Sequence, residues 1–109
     1  QLRGKLFRQG EPVSLADLLS ALRDVMNRAE MFGHHHIHRE ALSVRERMSQ
    51  VLERLDALRF TAFTALFRPE EGRAGVVVTF LAVLELLREA LLELVQTEPF
   101  APIHVRRRI

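Results

Sequence analysis

The chain has 109 residues, 48% of them hydrophobic and 28% charged, which suits one compact domain with an appendage and excludes both a disordered protein and two large cores. It contains no Cys, so disulfides, thiolate metal sites and cysteine nucleophiles are excluded together, and a reducing cytoplasm is the expected compartment. Sixteen Lys and Arg face fourteen Asp and Glu, and without the adjacent Arg106, Arg107 and Arg108 the balance is thirteen to fourteen; the high isoelectric point therefore reflects one basic tail and not the basic face expected of a DNA binder.

No apolar run approaches the roughly 20 residues that span a bilayer, so no membrane partner is expected. The chain opens on Gln1 without a basic-then-apolar leader; neither secretion nor an intact N-terminus is suggested, and a piece of a longer protein is the expectation. Residues 1–12 are basic and polar, with Gly4 and Gly10, and read as an extended or disordered lead-in.

Ser14 and Asp17 form a candidate N-cap pair, the hydroxyl serving a free N–H and the carboxylate facing the positive helix end. Leu15, Leu18, Leu19, Leu22, Val25, Met26 and Ala29 follow at helical spacing. Gly33 is the expected stop. A stripe this apolar needs a cover, either the downstream domain or a partner, and Leu15, Leu18, Leu22 and Met26 are its candidate partner or homodimer residues.

After a His34–His38 connector, Ser43-Val44-Arg45-Glu46 reads as a capping box. A helix over 43–58 is expected, carrying Val44, Met48, Val51, Leu52, Leu55 and Leu58 inward. Phe60, Phe63, Leu66 and Phe67 mark a short second helix, and Pro69-Glu70-Glu71-Gly72 a loop. A third helix over 75–89 is apolar nearly all round and is expected to be mostly buried. Two strands close the chain, one over 91–96 and one in which Ile103 and Val105 alternate with His104 and Arg106; Pro102 suits an edge or a strand start. The expected fold is mainly α with a small β-hairpin (α+β). It comprises a winged-helix domain over 43–109, preceded by a linker and amphipathic helix over 1–42.

The stretches 39–48, 75–86 and 96–105 together resemble, in order and spacing, the C-terminal region of the segregation and condensation protein A family, the bacterial kleisins. The segment before His38 is similar to the region that joins the family's middle segment to its C-terminal domain. The resemblance implies a non-catalytic subunit of a bacterial condensin-like complex for chromosome condensation and segregation, associated with the nucleoid. Its C-terminal winged helix would bind the head of an SMC ATPase, and its middle segment would recruit segregation and condensation protein B.

The other functional class is a winged-helix DNA-binding regulator reading the major groove through its third helix. Base readout needs Arg, Lys, Asn or Gln, and over 75–89 only Arg88 is basic, flanked by Glu85 and Glu89. DNA is therefore expected to be reached only indirectly, with Arg106–Arg108 read as a solvated, fraying terminus. The histidines of 34–38 point in diverging directions, with Glu40 the one nearby carboxylate, and read as a polar connector; no metal or other cofactor is expected. Catalysis has no support either, since Ser14 and Ser43 are occupied by capping and neither a nucleophile elbow nor a phosphate loop appears. The hairpin is the candidate partner contact, through an open strand edge that Pro102 guards. Phe100, Pro102, His104 and Arg106 are its candidate residues, and charge reversal at Arg106 is expected to spare stability.

Overall fold

In the computed structural model, residues 13–31 and 43–108 are described; the expectations for residues 1–12, Phe32, Gly33, the His34–His38 run, Glu40 and Leu42 lie outside them. Helix α1 spans Leu15–Glu30 and starts as its sequence dictates, with the Asp17 N–H donating to Ser14 Oγ at 3.1 Å. It ends with Met31 as C-cap, its N–H bonded back to Arg28 and Ala29 carbonyls.

Helix α2 spans Val44–Arg54, and the serine half of its capping box is present as a 3.2 Å bond from the Glu46 N–H to Ser43 Oγ. It is four residues shorter than expected at its C-terminal end. Leu55 turns extended, and Asp56 Oδ1 then accepts the Leu58 N–H at 2.8 Å, a local turn that competes with the helix. Leu58 consequently lies exposed, not in the apolar stripe.

The expected short second helix is two elements. Thr61–Ala62 form a strand, β1, and a 3₁₀ turn follows over Phe63–Leu66. The turn's carbonyls at Ala65 and Leu66 accept from the Arg54 guanidinium at 2.9 and 3.4 Å, while Phe63 and Phe67 meet edge to face at 5.1 Å. A second 3₁₀ turn, Pro69–Glu71, fills the expected loop.

Helix α3 spans Gly72–Arg88, three residues longer at its start than expected. Gly72 adopts φ 80° and ψ −171°, a conformation closed to residues with a Cβ, which lets the chain swing from the turn into the helix. At Gly75 an added Cβ would stand 2.4 Å from Glu71 Cβ. The absent Cβ makes room for the Glu71 side chain, whose carboxylate accepts from both Arg47 guanidinium nitrogens, at 2.8 and 3.1 Å, while Arg47 also donates to Thr79 Oγ1 at 2.8 Å. The Thr79 hydroxyl in turn donates to the Gly75 carbonyl. This network ties α2 to α3 from an almost buried position. The helix closes on Ala90 at φ 62°, with Ala90 N–H to Leu87 O and Leu91 N–H to Leu86 O both 2.9 Å, a Schellman ending built without glycine.

Strands β2 (Leu92–Gln96) and β3 (Ile103–Arg107) form the expected antiparallel hairpin, in the register Leu94 to Val105 and Gln96 to Ile103. Strand β1 adds a third member, pairing Thr61 with Val105 and Ala62 with His104. The order β1-β3-β2 makes β3 central. The architecture is mainly α with a small antiparallel sheet.

One core joins every layer: Leu18, Val25 and Ala29 of α1, Val51 of α2, Phe63 and Leu66, Val76, Val83 and Leu86 of α3, and Ile103 and Val105 of the sheet. Helix α1 is thus covered by its own chain, chiefly by α3, and Arg73 reaches Glu30 at 3.6 Å beside that contact. The expectation that α3 is mostly buried needs correction. Val76, Phe80, Val83 and Leu86 are buried and Leu84 and Leu87 partly so, but Val77 and Leu81 are 40% and 45% exposed. A 17-residue helix against one core has room for only one buried face, whatever its composition.

Candidate functional site at the hairpin

Alternation along β3 sends Ile103 and Val105 into the core and turns His104 and Arg106 to the opposite face. Cross-strand pairing sets Val95 beside His104 and Glu93 beside Arg106 on that outer face. Arg106 is anchored there: its Nε donates to Glu93 Oε1 at 3.0 Å and its guanidinium lies 4.7 Å from the centroid of the Phe60 ring. It is half-buried, so reversing its charge would break a folded contact, and the expectation that such a change spares stability is withdrawn. His104 is exposed and carries no such contact.

The expected guarded edge is also different. Strand β3, which Pro102 precedes, is flanked by β1 and β2, so the open edge of the hairpin among the described residues is that of β2. Pro102 is exposed in the loop just before β3. Nor does the basic tail fray, since β3 runs through Arg107, the Arg107 N–H donates to the Asp56 carbonyl at 3.2 Å, and the Arg108 N–H donates to Leu91 O at 2.9 Å.

Phe100 stands at the tip of the β2–β3 loop, 70% exposed, with φ 65°. A bulky residue in that region is strained unless its surroundings hold it. Two bonds do so. Asp17 Oδ1 accepts the Phe100 N–H at 3.0 Å, and Gln96 Nε2 donates to the Ala101 carbonyl at 2.8 Å. Asp17 and Gln96 are both buried. Neither was identifiable as a site residue from the sequence, because the capping position already accounted for Asp17 and its partner lies 83 residues away. Their effect is to fix a loop that would otherwise sample many conformations, with an aromatic ring presented outward.

The candidate residues on α1 divide. Leu18 is buried and Leu22 and Met26 pack partly against the core, whereas Leu15 is exposed together with Leu19. Only the N-terminal end of the stripe is therefore open to a partner.

The outward face of α3 offers DNA little. Its earlier start adds Arg73 to Arg88, but Arg73 pairs with Glu30 and Arg88 with Glu85. The hydrogen bond from Arg88 holds the Glu85 carboxyl below its ordinary value, and Glu85 in turn holds Arg88 above its own. Between these pairs lie Val77 and Leu81. Among the described residues no cluster of three or more His, Asp or Glu is placed to hold a metal ion, and no helix is long and apolar enough to cross a membrane.

Comparison with known proteins bears on this arrangement. A family model described as segregation and condensation protein ScpA matches residues 9–107. Segregation and condensation protein A of Coxiella burnetii is 58% identical over 92 residues, which cover 84% of this chain and 35% of that protein. The protein of the same name from Xylella fastidiosa (strain Temecula1) is 54% identical over 95 residues, 87% of this chain and 32% of that protein. That of Myxococcus xanthus is 38% identical over 92 residues. No solved structure matches. The chain spans about a third of the length of these curated relatives. With every described element inside the matched range, the chain belongs to the segregation and condensation protein ScpA family.

Proposed function

We propose that the chain is the C-terminal, winged-helix part of a non-catalytic kleisin subunit, and that it docks on the head of an SMC ATPase in a condensin-like complex of the bacterial nucleoid. The observation that carries this reading is the division of labour between α3 and the hairpin. The helix that a DNA-reading winged helix lays in the major groove here has its arginines paired to carboxylates and shows valine and leucine outward. The hairpin, by contrast, keeps an open β2 edge, an outer face with His104, and a loop with Phe100 and Pro102 that is hydrogen-bonded to Asp17 and Gln96. Open edges and exposed aromatic tips suit protein recognition. In this reading ATP chemistry belongs to the SMC partner, the segment before Ser43 adjoins the region that recruits segregation and condensation protein B, and DNA is met through the complex.

The test is a binding titration of the chain against a purified SMC head. His104→Glu sits on the exposed outer face and should weaken binding about tenfold or more while leaving the melting temperature in place. Failure of the wild-type chain to bind the head, alongside tight duplex-DNA binding with a steep salt dependence, would replace this reading with the DNA-binding regulator.

A further inference from the structure

The fixed loop forms one wall of a groove of about 260 Å³. Its second wall is α1, which contributes Asp17, Ala21 and Asp24, and its floor comes from Ala62, Phe63 and Thr64. The groove is lined by apolar side chains, the Thr64 side chain and two carboxylates contributed by α1, and no Lys, Arg or His lines it. Asp17 is 93% withdrawn from solvent, yet only Oδ1 is used, by the Phe100 N–H. No described side-chain oxygen or nitrogen is both fully buried and unpaired. The second Asp17 oxygen, for which no bond is present among the described residues, is therefore not fully buried, and Asp17 lines the groove. A nearly buried carboxylate with a spare acceptor, a second carboxylate about two turns further along α1 and an exposed aromatic residue in the same lining make a receptor with a definite chemistry.

Resting on the head-docking role proposed above, we infer that this groove receives a single arginine side chain projected by the SMC partner. A guanidinium is planar and presents parallel donors to carboxylates, and its face stacks on an aromatic ring. Its aliphatic stem matches the alanine and phenylalanine walls. An acidic or purely apolar segment would desolvate Asp24 and the second Asp17 oxygen without supplying a donor to either. The bond from the Phe100 N–H to Asp17 Oδ1 gives the groove its shape before any ligand arrives, so little ordering accompanies binding.

The test uses the whole chain, labelled with ¹⁵N, and two blocked pentapeptides that differ only in a central arginine or its neutral isostere citrulline. The arginine peptide should give saturable shifts of the Phe100 and Ala101 amides. Citrulline, or Asp24→Asn in the protein, should weaken the response about tenfold, the loss expected for a charge-assisted hydrogen bond. Asp24 is exposed, so that variant keeps the fold. Equal responses to the two peptides, no saturable response to either, or shifts that follow the chain's own concentration in place of the peptide's would overturn the assignment. Head binding by the wild-type chain is measured separately, so the groove and the docking role can fail independently.

Discussion

At the scale of single residues, the structure gives several side chains a second duty. Asp17 was legible as a helix-cap neighbour, and its N–H does bond to Ser14. Its carboxylate, however, leaves the helix end and holds the Phe100 N–H across the molecule. Nothing in the sequence signals this, because spacing reports neighbours on one element and not partners 83 residues apart. Asp17→Ala should lower unfolding stability by about 1.5–3 kcal/mol in a urea melt, the value of a hydrogen bond to a charged group. Asp17→Asn, which keeps a carbonyl acceptor, should recover most of that loss. If Ala and Asn melt alike at the wild-type midpoint, the loop is not held in this way. Phe100 shows the converse limit. Its hydrophobicity allows a core reading, but the left-handed backbone that Asp17 stabilises turns the ring outward. Arg106 was legible as an outward residue from period-two alternation, but not its stack on Phe60, since that contact depends on a strand the sequence did not reveal.

At the scale of elements, caps and periodicity located all three α-helices and both hairpin strands, because those signals are local. Boundaries and the third strand were not legible. Thr61–Ala62 becomes a strand only because β3 has a free side there, a consequence of tertiary pairing and not of local propensity. The early start of α3 depends in the same way on Gly72 and on the Arg47–Glu71 pair, whose members lie 24 residues apart. The uniform apolarity of α3 hides which face is covered. Leu86, 1% exposed, should cost about 2–5 kcal/mol when cut to Ala. Val77→Ala, on the exposed face, should change stability by less than about 1 kcal/mol in the same melt. Comparable losses at both positions would mean that the outward face of α3 is covered in solution.

At the scale of the whole molecule, α1 is no appendage. Its buried residues share one cluster with α3 and the hairpin, so the amphipathic stripe is largely satisfied within the chain. What remains outward is unequal in character. The helix that could have read DNA shows apolar and charge-paired residues, while the hairpin end shows an open edge and a braced aromatic loop. Family membership was legible from three separated stretches together with their order. The proposed partner surface rests on which groups folding leaves uncovered, which spacing along one element does not report. Protein recognition by the hairpin end, and not nucleic-acid reading by α3, is the claim on which the functional account stands. Amide hydrogen exchange of the chain, with and without a saturating SMC head, tests it most directly. Slowed exchange concentrated in residues 92–107 is the predicted result; slowed exchange confined to residues 72–88, with the hairpin unchanged, would contradict it.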